Sequence, residues 1–332
     1  MKIVVTGATG FLGSRLLEQL ASKDANAMEV IGIGRTLKPQ STVEASNIKY
    51  QLGDLEEQAF VHDAISGAEV VVHAAALSAQ MAPLGAFERS NVKVTEHVVQ
   101  ACEAHGVKRL IFISSPSVYF QMKDQLSISE SDPLPSPINV YSKTKREAEC
   151  VVRASDVPHV IFRPRALIGR GDTVILPRII RAHSAGRLRR MGLEQNRVDL
   201  TPVSNVVDAI LLAIQAPGEA LNQTYNISNG QPELLWPLLD KVFLELGLED
   251  VTRRIPIPVA IVVARLMEWH AKWLNGRKEP VLTVYGIGTL TKDFGMDISK
   301  ARALLGYEPK QTVEEAIGEF LNWYKTQSAC PR

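Results

Sequence analysis

With 332 residues, 45% hydrophobic and 22% charged, the chain has ordinary globular usage and enough length for one large α/β unit or two that share a cleft. A formal net charge of +1 offers nucleic acid no electrostatic handle, so no such partner is expected. Cys102, Cys150 and Cys330 are widely spaced and match neither a disulfide framework nor a metal site; the expectation is a reducing, cytoplasmic compartment and no metal.

The stretch "KIVVT" (2–6) reads as a strand and is too short for a signal-peptide core. It leads into "TGATGFLG", after which Leu12, Leu16, Leu17 and Leu20 share one side of a helix. "EVIGIG" (29–34) and "AEVVVHAA" (68–75) follow, then a helical stretch from about 91 to 105, "RLIFISS" (109–115) and "HVIFRP" (159–164). Unbroken Val/Ile runs suit strands covered on both faces. Their alternation with helices predicts an α/β fold, a Rossmann-type doubly wound parallel sheet.

Past residue 165 the pattern loosens. "SNVVDAILLAI" (204–214) reads as a helix with Ser204 as its cap, and "QTYNIS" (223–228) as one more strand. Thr312 and Glu315 have capping-box spacing ahead of "AIGEFLNWY". The expected organisation is an NAD(P)-binding domain over 1–165, with elements returning from about 198–228, and a smaller, mostly helical substrate-binding lobe over 166–332. No membrane span is expected, since no apolar run approaches about 18 residues. The nearest candidate, 255–274, is interrupted by prolines, Arg265, Glu268 and Lys272. It reads as a helix packed in the substrate region, with weak association to a membrane surface as the alternative.

Gly7, Gly10 and Gly13 make G-x-x-G-x-x-G between the first strand and its helix. Backbone N–H groups in such a turn, here including those of Thr9, Phe11 and Leu12, can approach a pyrophosphate at a helix N-terminus. About 20 residues on, where an NAD site places an acid, stand Gly34, Arg35 and Thr36. A guanidinium pairs with a 2′-phosphate, so NADP(H) is the expected cofactor and NAD the alternative. Ala74, Ala75 and Ala76 are small enough for the backbone to approach a ribose, and His73 reads as a packed strand-end histidine.

"FISSPSVYF" (112–120) ends a strand in Ser114 and Ser115, with Ser117 and Tyr119 close behind. "VYSKTKR" (140–146) places Tyr141 and Lys145 a turn apart on one helix face. Hydride transfer needs a proton donor or acceptor at the substrate oxygen. A tyrosine can serve if a nearby ammonium and a positive nicotinamide ring pull its pKa toward neutrality. Ser142, Lys143 and Arg146 read as helix-surface residues.

Together the glycine turn, the serine-tipped strand and Tyr141-x-x-x-Lys145 resemble the extended short-chain dehydrogenases/reductases, the epimerase/dehydratase superfamily, and within it the 3β-hydroxysteroid dehydrogenase-like branch. The resemblance implies catalytic roles for Ser115, Tyr141 and Lys145. It implies adenine-end contacts for Asp54 and Leu55, a place near the nicotinamide for Asn91, Ser114 and Pro164, and substrate contacts for Ser117, Tyr119 and Arg165. On the residues alone, Asp54 and Asn91 also read as helix N-caps. The chain departs from the nucleotide-sugar branch at Phe120, where "VYG" is common, and at Ala166, where an asparagine often holds the diphosphate.

The expected function is therefore an NADP(H)-dependent oxidoreductase that interconverts a secondary alcohol and a ketone. Its small-molecule substrate is bulky and hydrophobic, steroid-like or a long-chain 3-oxo acid. The alternatives are a nucleotide-sugar 4-epimerase or dehydratase with tightly bound NAD, and a non-catalytic dinucleotide sensor. A homodimer is a further expectation from the resemblance.

Overall fold

The computed structural model describes residues 1–21, 28–79, 82–192, 194–273 and 280–329. Its main sheet begins with β1 (Lys2–Thr6), β2 (Glu29–Gly34), β3 (Ile48–Leu52), β4 (Val70–His73) and β5 (Arg109–Ile113), and two later strands complete it. The order across the sheet is Gln223–Ile227, His159–Pro164, β5, β4, β1, β2, β3, and every neighbouring pair is parallel. Chain order reverses between β1 and β4, which opens a crevice at their carboxyl ends.

Both faces of the central strands are buried, hence their unbroken apolar runs. Ile3, Val5, Val72 and Ile111 pack with Leu16, Leu17 and Leu20 of the helix Phe11–Ala21. Val4, Val71, Leu110 and Phe112 face the opposite way, against Val98, Cys102, Ala148 and Val152. β3 has no counterpart in the sequence reading. It is an edge strand whose Lys49, Gln51 and Leu52 are exposed, so it lacks a continuous buried run.

The remaining lobe holds helices and two small sheets. One orders Glu233–Leu234, Arg197–Val198, Phe294–Met296 and Gln125–Ile128; the other pairs Thr201–Pro202 with Leu167–Ile168. Gln125–Ile128 reaches this lobe from the first half of the chain, while Gln223–Ile227 returns to the main sheet.

Local caps differ in part from expectation. Thr312 and Glu315 form their capping box, each side chain accepting from the other's backbone N–H. Ser204 is no cap: the helix Val203–Gln215 starts after Pro202, and the Ser204 hydroxyl donates to Gln311. Ser142 is no surface residue: it is buried and closes a capping box with Asn139 at the start of the helix Val140–Arg153. Arg146 is likewise tied down, donating to the Pro135 carbonyl at 3.2 Å.

That helix is anchored by a buried ion pair. Glu149 accepts from Arg163 Nε at 2.8 Å and Nη2 at 2.5 Å, from Arg153 at 2.7 Å and from the Ser114 hydroxyl at 2.5 Å. Burial by itself raises the Glu149 pKa, but the bonds from Arg163 and Ser114 outweigh it and hold the carboxyl below its ordinary value. Replacing Arg163 with methionine removes this buried carboxylate's two-bonded partner and leaves it only Arg153 and Ser114. The variant should lose about 3–5 kcal/mol of stability, read by urea unfolding at neutral pH.

Candidate active site

The glycine turn sits in the crevice between β1 and β4. Gly7 has φ +70°, and a Cβ there would lie 2.8 Å from Ala75 N. A Cβ on Gly13 would lie 2.2 Å from Gly7 O, so the helix start folds onto the turn only because both positions lack side chains. Thr6 Oγ1 accepts from Ala75 N at 3.2 Å and lies 2.7 Å from His73 Nδ1. His73 Nε2 in turn lies 3.1 Å from Thr95 Oγ1. Burial, with Lys145 nearby, pushes the His73 pKa down to about 3, so its ring is neutral and braces the two strand ends.

This crevice fits a dinucleotide. Gly10 is exposed at the turn, and Phe11 and Leu12 open the helix behind it. Thr9 packs over the end of β2, where a Cβ on Gly34 would meet its side chain at 2.8 Å. Arg35 and Thr36 are exposed just beyond, and Arg35 makes no ion pair among the described residues. Ala74 and Ala75 are half-buried at the end of β4, and Ala76 is exposed.

Asp54 is not a helix cap. It accepts from Glu56 N at 3.0 Å in a turn, and the helix Gln58–Ile65 starts after Glu57; Leu55 packs partly buried against the core cluster that holds Val61 and Val98. Asn91 is not a cap either. It lies inside a π-helical turn, Glu88–Lys93, that runs into the helix Val94–Ala104. Its side chain accepts from Leu77 N at 2.7 Å and donates to Leu77 O at 3.3 Å and Thr144 Oγ1 at 3.1 Å. It thus ties the loop after β4 to the helix that carries Tyr141.

Ser115, Tyr141 and Lys145 converge beside this crevice. The Ser115 and Ser78 side chains lie beside the Tyr141 hydroxyl. Burial raises the Tyr141 pKa above its ordinary value, and those two serines only partly counter it. Lys145 is buried, donates to the Ile113 carbonyl at 2.7 Å and lies 4.3 Å from the centre of the Phe112 ring. Burial lowers its pKa to about 7, against the pull of Glu149. The expected depression of the tyrosine is therefore absent from the protein by itself. Its phenol is protonated and so suited to donate.

Several other expected site residues turn inward. Ser114 is spent on Glu149. Ser117 is buried and shares a hydrogen bond of 3.0 Å with Ser115. Tyr119 is buried, its hydroxyl bonded to Arg163 and, at 3.0 Å, to Asn226, so it does not face the cleft. Pro164 ends its strand, fully covered.

Arg165 is different. It is only 8% exposed, lies over the Phe294 ring at 4.4 Å, and its Nε has no acceptor. Burial lowers its pKa, while the neighbouring Tyr285 and Asp199 work the other way. Tyr285 also acts on Tyr141 and packs edge-on against Phe120 at 4.8 Å. Phe120 in turn stacks on Phe294 at 6.2 Å. Ser78 and Tyr285 were missed from the sequence because no local motif marks them; Tyr285 is far down the chain from the tyrosine it neighbours.

The parallel sheet, the glycine turn and the Ser115–Tyr141–Lys145 cluster define an extended short-chain dehydrogenase/reductase, an NAD(P)-dependent oxidoreductase. Within that class the chain belongs to the 3-beta hydroxysteroid dehydrogenase/isomerase family, whose model matches residues 4–259. It is 32% identical to the sterol-4-alpha-carboxylate 3-dehydrogenase, decarboxylating, of Saccharomyces cerevisiae, over 97% of each chain. It is 31% identical to the 2-alkyl-3-oxoalkanoate reductase of Stenotrophomonas maltophilia, over 96% of this chain and 97% of that protein. In structure it is similar to the UDP-glucuronic acid 4-epimerase from Bacillus cereus, solved with NAD. That match has a TM-score of 0.77 and 22% identity, covers 98% of this chain and 99% of the other, and reflects the shared fold.

The lysine gives the apo protein a pH signature. Its pKa falls from 10.5 in the unfolded chain to about 7 in the fold, so the unfolded state binds the extra proton between those values. Stability should therefore rise with pH across that window. Urea unfolding at about pH 7 and about pH 9 should show this increase, and Lys145→Met should remove it.

Proposed function

We propose that the chain interconverts a secondary alcohol and a ketone with NADP(H), on a bulky hydrophobic substrate whose carboxylate is one carbon removed from the reacting carbon. A long-chain 3-oxo acid and a steroid-like carboxylate both meet this description. The single observation behind it is Arg165, a buried guanidinium with no salt bridge among the described residues and an unpaired Nε. A buried unpaired cation is costly, and an incoming carboxylate would relieve that cost. In a 3-oxo acid one carbon separates the carboxylate from the carbonyl. Tyr285, which neighbours both Arg165 and Tyr141, spans the gap between anion and reacting oxygen.

When bound at the glycine turn, the cofactor supplies the hydride. Tyr141 gives its proton to the carbonyl oxygen. The Ser115 hydroxyl donates a hydrogen bond to the same oxygen and holds it in line. Lys145, protonated, stabilises the phenolate left behind, and Glu149 on the next turn favours that protonated state. Phe120, Phe294 and Tyr285 offer an aromatic wall for apolar substrate. Ala166 offers no side-chain hydrogen bond to a diphosphate, which argues against a nucleotide sugar.

Following NADPH oxidation with a 2-alkyl-3-oxo acid, a sterol ketone and a nucleotide-sugar ketone separates the candidates. Turnover of the 3-oxo acid supports the proposal, turnover of the neutral sterol ketone without it removes the carboxylate, and turnover of the nucleotide sugar alone sinks the reading. Arg165→Met should raise KM for the acid about 10–100-fold while sparing a neutral ketone of the same chain length.

Arg35, exposed just past the end of β2 and without an ion pair among the described residues, favours a 2′-phosphate. Arg35→Glu should weaken NADPH binding about 100-fold and leave NADH nearly unchanged. Tighter NADH than NADPH binding by the unaltered protein would contradict the NADP(H) assignment.

A further inference from the structure

The helix Ile257–Trp273 presents two unlike faces. Its inner side buries Ala260 and Ala264 against Met191 and Ile287. Ile287 belongs to the helix Val284–Thr291, which also carries Tyr285. The inner face therefore backs the wall of the candidate active site. Its outer side carries Val259, Val262, Val263, Leu266, Trp269 and Trp273. Of these, Leu266 is 62%, Trp269 69% and Trp273 75% exposed.

At helical spacing the six fall in one stripe roughly 120° wide. A globular helix turns such a stripe to its core, but here the core side is already filled by the alanines. The expectation of a packed helix thus holds for one face only.

The polar groups around the stripe say what covers it. Glu268 is turned to the protein and accepts from Val284 N at 2.8 Å. Arg265 is exposed at the edge of the stripe. Arg253 and Arg254 are exposed just before the helix, Arg254 also pairing with Glu194 at 2.8 Å. The outward charge of the helix is thus cationic. Two exposed tryptophans, each with an apolar ring and one N–H donor, suit the boundary between lipid headgroups and acyl chains.

We propose that this helix docks the enzyme on the surface of a membrane containing anionic phospholipid, lying flat with the Val259–Trp273 stripe inserted. No helix among the described residues is long and apolar enough to cross a membrane. Docking in this way sets the wall around Tyr285 close to the lipid phase, into which a bulky apolar substrate partitions. That consequence rests on the substrate class proposed above; the docking does not.

The test is flotation of the full chain with vesicles of phosphatidylcholine, alone or with about one-third phosphatidylglycerol. The unaltered protein should float with the anionic vesicles, and its tryptophan emission should shift to the blue. The double variant Trp269→Ser/Trp273→Ser should lose about tenfold in vesicle binding, and Arg265→Glu should weaken it severalfold. Both variants should bind NADPH as before, which checks their folding. No flotation by the unaltered protein overturns the proposal, as does equal binding to neutral vesicles. A dimer in sedimentation that the double variant turns into monomer, without vesicle binding, assigns the stripe to a second copy instead. None of these measurements uses substrate, so a failed keto-reduction assay leaves their outcome readable.

Discussion

Glu149 is a carboxylate held in the core by Arg163, Arg153 and Ser114. Through it three elements are locked together: the helix that carries Tyr141 and Lys145, the end of β5 that carries Ser115, and the strand His159–Pro164. A buried charge tolerates little displacement, since each lost partner leaves it unpaired in a low-dielectric interior. The relative positions of the serine, tyrosine and lysine follow from that constraint. So does the charge state of the lysine, because Glu149 opposes the desolvation that draws the Lys145 pKa down.

Around this anchor the site is braced by buried polar groups. His73 is neutral and joins Thr6 to Thr95, which steadies the ends of β1 and β4 beside the glycine turn. Asn91 uses a π-helical turn to bring its side chain onto Leu77 and Thr144 at once. An ordinary α-turn shifts a side chain by one position on the helix face, so the extra residue is what re-aims the amide. Preorganisation of this kind sets Ser115 beside Tyr141 before any ligand arrives.

The second lobe adds what the first cannot. Phe294 and Tyr285 come from the last fifth of the chain and close over Phe120 and Arg165. Tight packing holds them there: a Cβ on Gly288 would lie 2.3 Å from the Phe120 ring. The same helix pair ends in an apolar outer stripe, so one element links pocket wall and surface.

Periodicity and spacing in the sequence by themselves determined β1, β2, β4 and β5 of the first half, the glycine turn and the Tyr141/Lys145 pair. Those features are local: a buried parallel strand needs a continuous apolar run, and a helix puts residues four apart on one face. What only tertiary structure decided is where polar side chains spend their bonds. Ser114, Ser117 and Tyr119 looked available in sequence, yet Glu149, Ser115 and Arg163 take them up. Ser78 and Tyr285 looked like nothing, yet they flank the tyrosine. The edge strand β3 escaped notice because one-sided burial erases the apolar run. The two faces of Ile257–Trp273 were inseparable in sequence for the same reason: apolar residues at helical spacing look alike until packing buries one set and leaves the other to solvent.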